Sequence, residues 1–194
     1  YLLSLIIYFI LEYVNTYLYQ SRNQISSRSF LIYGNRGNFE FWCCQLLTIL
    51  EFIINLKKVK IGLILSWWVI LPVKVIGMMM IISGLFIRSL SMKTCGESFS
   101  HLINTDSTNT NNQKLITHGI YGYFRHPSYF GFWCLSIGIQ LWLINPINLL
   151  LSLFILQYFF TIRIQVEEYF LIHNIFGMDY INYKNKVKLW IPFV

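Results

Sequence analysis

The C-terminal half of the chain carries a group of polar residues where a polar segment turns into an apolar one. The run Arg125-His126-Pro127-Ser128 stands at this boundary. Proline suits the first position of a helix and disfavours helical conformation in the residue before it. We therefore predict that a helix starts at Pro127, with the free N–H groups of residues 128–130 forming a small positive site for an anion. The alternative is a plain helix start whose Arg125 side chain extends to a lipid boundary.

A second group lies near the end of the last apolar run. Arg163 and Glu167 are four residues apart, so a helix places them on one face. A guanidinium at the depth of the hydrocarbon is costly unless it is paired. It can hold the carboxylate of a lipid-anchored molecule, for which its planar fork is well suited. The alternative is an ion pair at a helix end, and the local pattern leaves both interpretations open.

Composition indicates the kind of protein that positions these residues. The chain has 194 residues, of which 56% are hydrophobic and 12% are charged. Soluble domains carry about 25% charged residues. The sequence therefore predicts an all-α integral membrane protein with a single domain. It begins inside an apolar run without a methionine, so we expect an N-terminal piece to be missing and residues 1–19 to span the membrane.

About five apolar segments are predicted to cross the membrane. They are residues 1–19, 39–56, 72–92, 128–143 and 147–166. The segment 61–71 reaches only ~16 Å as a helix, whereas the hydrocarbon core is ~30 Å thick. We therefore interpret it as a kinked extension of the third span or as an interfacial segment. The last two spans are predicted to form a helical hairpin, and residues 93–194 to form the part that holds the candidate site, in which a connector precedes the hairpin and a tail follows it. Residues 1–92 supply the N-terminal spans.

The basic residues predict which side of the membrane holds the site. Five crossings place the 20–38 loop, the 93–127 connector and the tail on one side. Nine basic residues lie in these segments: Arg22, Arg28, Arg36, Lys93, Lys114, Arg125, Lys184, Lys186 and Lys188. The other side has Lys57, Lys58 and Lys60. Cytoplasmic loops carry an excess of Lys and Arg, so we expect the connector and the tail to face the cytosol.

The remaining polar and small residues inside the spans are interpreted as structural. Glu12 and Arg88 are assigned no chemistry, and Glu51 and Lys74 are expected to pair between spans. Gly131, Cys134 and Gly138 place small side chains on one helix face, which predicts close packing against a neighbour. The four cysteines form no C-x-x-C array, and the histidines have no metal-ligand spacing, so no metal site is predicted. No nucleic-acid partner is predicted either.

A longer pattern of motifs resembles a known family. The pattern consists of Ser98-Phe-Ser-His101, Leu115-Ile-Thr-His-Gly-Ile-Tyr121, Phe124-Arg-His-Pro-Ser-Tyr129, Gly138-Ile-Gln140, Asn145-Pro146, Arg163-x-x-x-Glu-Glu168, Leu171-Ile-His173 and Tyr180-x-x-Tyr-Lys-x-Lys-Val187 with Ile191-Pro-Phe193. In order and spacing it is similar to the isoprenylcysteine carboxyl methyltransferases. The resemblance is close over residues 84–194 and weak over 30–83.

The resemblance implies methyl transfer from S-adenosylmethionine to the C-terminal carboxylate of a prenylated cysteine, left by processing of CaaX proteins, at the endoplasmic reticulum membrane. Carried onto this chain, it implies a set of cofactor contacts: Asn104, Gln113, Lys114, Leu115, Ile116, Tyr121, Arg125, His126, Pro127, Ser128 and Glu167. It implies that Arg163 binds the substrate carboxylate and that Arg163 and Glu167 are the catalytic pair.

Three alternatives are weighed at this point: two other enzyme classes and a non-enzymatic protein. Membrane sterol reductases that use NADPH, and phospholipid methyltransferases, carry similar pieces of the Arg-His-Pro-x-Tyr motif. Ser128, the Arg163-x-x-x-Glu167 pair and the Ile191-Pro-Phe193 ending argue against a reductase. A non-enzymatic multi-pass protein would have no reason to collect four polar residues on one side of the membrane, namely Arg125, His126, Arg163 and Glu167.

Overall fold

The described part of the chain is helical throughout. The computed structural model describes residues 1–20, 38–60, 67–99 and 114–192, with the backbone alone at 38–40 and 57–60, and within these ranges it contains no strand. The helices are α1 (Leu2–Tyr19), α2 (Asn38–Lys60), α3 (Trp67–Cys95), α4 (Pro127–Leu143), α5 (Pro146–Phe170) and α6 (Met178–Lys186). Short 3₁₀ helices occupy Gly96–Ser98 and Gly119–Gly122, and a π-helical turn occupies Leu171–Phe176. The all-α prediction is confirmed.

Three described helical stretches are long and apolar enough to cross a membrane. They are Leu2–Tyr19, Trp67–Ser98 and Pro146–Phe176, and α2 adds a shorter apolar stretch, Phe41–Leu56. The membrane class therefore holds. Five crossings and a cytosolic connector stay predictions, because many of the basic residues behind them lie at 21–37 or 57–60, whose side chains are outside the described part.

Two helices extend beyond the predicted spans. α3 starts at Trp67, so Pro72 lies inside it. A proline inside a helix removes one backbone hydrogen bond of the helical ladder. α5 continues past residue 166 to Phe170 and through the π-helical turn to Gly177, whose φ of 55° ends the run. Arg163 and Glu167 therefore lie within a continuing helix and not at its exit.

α3 and α4 pack with almost no space between their backbones. A Cβ added at Gly84 would lie 2.6 Å from the carbonyl oxygen of Gly131, and one at Gly138 would lie 2.8 Å from that of Gly77. Cys134 is buried on the same face. The predicted small-residue face of α4 is confirmed, and glycines on α3 complete it. This contact fixes the start of α4 against the end of α3.

We expect Gly84→Ala to destabilise the protein, because the new methyl group would meet backbone atoms of α4 that cannot rotate away. Overpacking of this kind costs about 1–3 kcal/mol. Thermal unfolding in detergent measures the effect. Gly122→Ala is the matched control, since its Cβ would meet nothing closer than 3.5 Å. Equal unfolding temperatures for the two variants would contradict this description of the helix contact.

A layer of polar side chains joins α2 to the turn of the hairpin. Glu51 accepts hydrogen bonds from the backbone N–H groups of Ile147 at 2.9 Å and Asn148 at 2.7 Å, so it caps the start of α5. Lys74 instead lies 5.8 Å above the ring of Trp142. The expected Glu51–Lys74 pair is therefore wrong. The free amides at a helix start attract a carboxylate more directly than a lysine on another helix does.

The tail folds back onto the hairpin. After α6 the chain becomes extended, and Val187, Leu189 and Ile191 are buried at alternate positions. Leu189 and Ile191 pack in one cluster with Phe160 and Ile164 of α5. The backbone N–H of Arg125 donates to the carbonyl oxygen of Lys188 at 3.0 Å. The tail thus lies beside the connector at the point where α4 begins.

Candidate active site

A cavity of about 140 Å³, which we call the polar cavity for the charged and polar side chains in its wall, lies where the connector, the start of α4, the end of α5 and the tail meet. Every described residue that the sequence assigned to cofactor binding lines it: Lys114, Leu115, Ile116, Tyr121, Arg125, His126, Pro127, Ser128 and Glu167. Other parts of its wall come from residues that were not assigned, namely Cys95, Ser98, Phe99, Tyr129, Leu171, Phe176, Tyr180 and Tyr183. Asn104 and Gln113 lie outside the described residues.

The start of α4 forms as its sequence predicts. Pro127 occupies the first turn, and His126 before it has non-helical backbone angles, with φ −126° and ψ 69°. The Phe130 N–H donates to the carbonyl oxygen of His126 at 3.1 Å. The prediction that residues 128–130 all have free N–H groups is therefore wrong for Phe130, whose N–H makes the first hydrogen bond of the helix. Only amides before it can face an anion.

Glu168 is the centre of the charges around the cavity. Its carboxylate lies 2.6 Å from Arg125 Nε and 2.6 Å from Lys184 Nζ. His126 Nε2 is 3.1 Å away, and the Tyr180 hydroxyl donates to the same carboxylate at 3.3 Å. The Glu168 side chain is only 6% exposed. One buried carboxylate thus joins the connector, α5 and α6.

Arg125 holds the tail, and the interpretation in which its side chain extends to the lipid boundary is wrong. Besides Glu168, its guanidinium donates to the carbonyl oxygens of Lys184 at 3.2 Å and Val187 at 3.3 Å. Neither partner could be found from the sequence, since both contacts are to backbone atoms about sixty residues away along the chain.

Tyrosines complete the cavity wall. The Tyr183 hydroxyl donates to the backbone carbonyl of Tyr121 at 2.8 Å. Burial raises the pKa of Tyr121, Tyr180 and Tyr183 above the ordinary value for tyrosine. All three hydroxyls therefore stay protonated at physiological pH and serve as hydrogen-bond donors.

A larger cavity of about 430 Å³ lies between α1, α2, α4 and α5. Its wall is almost entirely apolar and consists of Leu5, Tyr8, Phe41, Cys44, Gln45, Phe132, Leu135, Ser136, Ile139, Gln140, Ser152, Ile155, Leu156, Tyr158, Phe159, Ile162, Arg163 and Val166. Arg163 is the single charged residue among these described wall residues. The structure thus places Arg163 on the apolar cavity and Glu167 on the polar one.

One hydroxyl group stands between the two cavities. The Tyr129 hydroxyl donates to Glu167 Oε2 at 2.5 Å and accepts from Arg163 Nε at 2.8 Å. The tyrosine ring is held by stacking on His126, at 5.5 Å between ring centres, and on Phe160 at 5.2 Å. The arrangement presents a cation to the apolar cavity and a carboxylate to the polar one, a few ångströms apart.

Sequence reasoning missed Tyr129, Tyr183 and Glu168 as site residues. Tyr129 lies in the motif at the start of α4, two positions after Pro127. It was missed because an aromatic residue at that position is typical of an apolar helix. Glu168 adjoins Glu167, yet successive residues of a helix point about 100° apart. A pair of adjacent carboxylates in a helix therefore indicates two different partners, and the sequence alone shows that pair.

The fold and the paired cavities define a helical membrane protein with a polar compartment and an apolar compartment that meet at one charged junction. Comparison with known proteins specifies the class further. The family model for the isoprenylcysteine carboxyl methyltransferase (ICMT) family matches residues 75–173. Protein-S-isoprenylcysteine O-methyltransferase A of Arabidopsis thaliana is 36% identical over 193 residues, which is 100% of this chain and 91% of that protein. The chain belongs to the isoprenylcysteine carboxyl methyltransferase family.

Further relatives agree, over different shares of their own length. Protein-S-isoprenylcysteine O-methyltransferase of Saccharomyces cerevisiae is 44% identical over 120 residues, which is 62% of this chain and 49% of the yeast protein. A solved structure of a eukaryotic intramembrane Ras methyltransferase of this family superposes with a TM-score of 0.72 at 30% identity, over 84% of this chain and 55% of the other. The chain thus spans about half the length of these two proteins.

Proposed function

We propose that this protein transfers a methyl group from S-adenosylmethionine to the α-carboxylate of a C-terminal prenylated cysteine. The observation that carries the proposal is the Tyr129 hydroxyl between Glu167 on the polar cavity and Arg163 on the apolar cavity. A prenylcysteine has an apolar tail and an anionic end, and it matches a cavity that is apolar along its walls and cationic at one end. Membership of the family supports the same reaction.

The polar cavity suits S-adenosylmethionine by the chemistry of its walls. That molecule carries a carboxylate, an ammonium group, a sulfonium and an adenine ring. The start of α4 offers amides to the carboxylate, Glu167 offers negative charge to the cationic groups, and aromatic and apolar side chains offer packing to the ring. Lys114, Leu115, Ile116, Tyr121, Arg125, His126, Pro127 and Ser128 complete the proposed contacts, with Asn104 and Gln113 from beyond the described residues. When bound, the cofactor supplies a methyl group on a good leaving group.

The protein's own residues have a positioning role in this reaction. A carboxylate is already a nucleophile, so no general base is required. Arg163 orients the carboxylate at the end of the apolar cavity, and Tyr129 sets the distance between Arg163 and Glu167. The aromatic walls exclude water. Fixed orientation in a site poor in water is what methyl transfer to a carboxylate needs.

The proposed location is the endoplasmic reticulum membrane, with the polar cavity open to the cytosol. The excess of basic residues predicted for the connector and tail supports this orientation. The cofactor would then arrive from the cytosol between connector and tail, and the prenyl chain would arrive sideways from the lipid. An apolar route suits the prenylated product, which stays in the membrane, and a polar route suits the cofactor, which is soluble in water.

Filling the apolar cavity should separate the two routes. Leu156 lines this cavity, so we expect Leu156→Trp to reduce turnover of a farnesylated substrate at least about tenfold and to leave cofactor binding unchanged. Phe154→Trp is the control on the same helix, because Phe154 is 75% exposed and lies outside both cavities. If Leu156→Trp lowered both cofactor binding and turnover while Phe154→Trp lowered neither, the proposal of separate entry routes for cofactor and prenyl chain would be wrong.

The reaction itself is tested with tritiated S-adenosylmethionine, N-acetyl-S-farnesylcysteine and membranes that contain this chain. A base-labile methyl ester on the farnesylcysteine is expected. Label in phospholipid headgroups would instead support a phospholipid methyltransferase, and reduction of a sterol with NADPH would support a reductase. Binding of the cofactor without ester formation would remove the carboxyl methyltransferase proposal.

Tyr129→Phe should lower the rate of ester formation by about tenfold to a hundredfold with a small change in protein stability. The variant keeps the stacked ring but removes the hydroxyl that connects Arg163 with Glu167, and misplacement of groups in such a site costs rate. Initial rates at saturating substrates measure the effect. Tyr123→Phe is the control, since Tyr123 is 74% exposed. Equal rates for the two variants would show that the Tyr129 hydroxyl has no part in positioning.

A further inference from the structure

We propose that Arg88, held by Glu12, is a positioning residue for the cofactor end of the site. The inference rests on the proposed function for the identity of the ligand, but the contacts that carry it are independent of that function. Arg88 lies on α3, outside the walls of both cavities. Sequence analysis interpreted it only as a structural residue, together with Glu12 on α1.

The Arg88 guanidinium makes polar contacts on two sides. Towards α1 it pairs with Glu12 through Nε and through Nη2, the latter at 2.9 Å from Oε2. Towards α4 its Nη1 donates to the Ser128 hydroxyl oxygen at 2.9 Å and to the Ser128 carbonyl oxygen at 3.2 Å. Ser128 lines the polar cavity and stands in the first turn of α4.

Aromatic rings hold the guanidinium in place. Its central carbon lies 5.6 Å from the ring centre of Tyr8 and 5.7 Å from that of Phe132. Both rings line the apolar cavity. The side chains of Arg88 and Glu12 are only 12% and 5% exposed. One buried group therefore contacts a wall residue of each cavity.

The contact has a specific consequence for the Ser128 hydroxyl. A serine hydroxyl has one proton to donate and two lone pairs that accept. Because Arg88 donates to the oxygen, the hydroxyl proton is left to point elsewhere, and in the described part of the chain it has no protein acceptor. Arg88 thus leaves Ser128, a wall residue of the polar cavity, with a hydroxyl proton that a bound ligand can accept.

Stability alone does not account for this buried pair. Removing two charges from water costs free energy that their attraction barely repays, so apolar replacement of a buried pair is often neutral or stabilising. The fold also has other means to hold these helices: the Asn15 amide donates to Ser89 Oγ at 3.0 Å between α1 and α3, and the glycine contacts join α3 to α4. The pair is the feature that fixes Ser128.

The test replaces the pair with apolar residues of similar volume, Glu12→Leu together with Arg88→Met, in the full chain in lipid nanodiscs. We expect an unchanged or higher unfolding temperature, about tenfold weaker binding of S-adenosylhomocysteine and a raised KM for S-adenosylmethionine. The KM for N-acetyl-S-farnesylcysteine should stay within about twofold. On a Ser128→Ala background the double replacement should change cofactor affinity little further, because the group that it positions is already gone.

Asn15→Ala is the matched control, since it removes the neighbouring α1–α3 hydrogen bond without touching Ser128. A merely structural role for Arg88 predicts that the double replacement lowers the unfolding temperature and both affinities in parallel. That result, or unchanged cofactor affinity in a stable protein, would overturn the inference. If the double variant fails to fold, Ser128→Ala decides: its cofactor affinity must fall.

The same measurements separate this inference from the proposed function. If the wild-type chain binds S-adenosylhomocysteine but forms no methyl ester, the proposed function is overturned. The effect of the Arg88 replacement on cofactor binding would then still decide the inference. An active wild type with a double variant of equal cofactor affinity would overturn only the inference. A wild type that binds no cofactor would overturn both.

Discussion

Arg163→Ala is expected to lower methyl ester formation at least about a hundredfold while cofactor binding changes little. Arg163 is the charged residue on the wall of the apolar cavity, whereas the proposed cofactor contacts line the other cavity. Removing one partner of a buried charged pair costs about 2–5 kcal/mol, and each 1.4 kcal/mol is a factor of about ten. Rates with N-acetyl-S-farnesylcysteine and equilibrium binding of S-adenosylhomocysteine measure the two effects.

Two variants control for this result. Thr161→Ala lies two residues away on the same helix and removes only a hydrogen bond to the carbonyl oxygen of Gln157 in that helix. It should retain activity. Arg163→Lys keeps the charge but loses the planar fork, so its activity should fall between those of wild type and Arg163→Ala. Ester formation by Arg163→Ala within a few-fold of wild type would contradict the assigned role.

The second large effect is expected from Glu168→Ala. This change leaves Arg125, His126 and Lys184 without their shared carboxylate, and breaking a buried pair by removing one partner costs about 3–5 kcal/mol. We expect the tail to detach from the hairpin and cofactor binding to be lost. Limited proteolysis should cut the variant after residue 177, and we expect the wild type to resist cleavage there.

Glu168→Gln separates charge from hydrogen bonding. It keeps acceptors for Tyr180 and His126 but loses the ion pairs, so we expect partial protection of the tail. Asp179→Asn, on the exposed surface of α6, serves as the control and should behave as wild type. If Glu168→Ala kept a protected tail and normal cofactor affinity, the carboxylate would not be the group that holds connector, α5 and α6 together.

Local chemistry made much of the helical framework predictable. The lengths of the apolar runs predicted the long helices, and Pro127 predicted the start of α4. Gly131 and Gly138 predicted the face of α4 that packs on α3. Each of these follows from a few neighbouring residues. The bounds of α3 and α5 were predicted less well, because Pro72 lies inside α3 and α5 continues as a π-helical turn.

The site was predictable only in part, because its geometry depends on contacts between distant segments. The described cofactor candidates do line one cavity, but Arg163 lines another, and no helical spacing distinguishes the two. Glu51 caps the start of α5 and does not pair with Lys74, and Glu168 joins cations from the connector and from α6. Arg88 reaches Ser128 across forty residues. Pairings of this kind are set by how helices pack.

The central claim is that the substrate carboxylate itself attacks the methyl group, held at Arg163 between the two cavities. It is tested most directly with N-acetyl-S-farnesylcysteine labelled with ¹⁸O at both carboxyl oxygens, S-adenosylmethionine with a ¹³C methyl group, and mass spectrometry of the product. The account predicts a methyl ester that carries the ¹³C and retains both ¹⁸O atoms. An ester that has lost one ¹⁸O, or no ester from a protein that binds the cofactor, would contradict it.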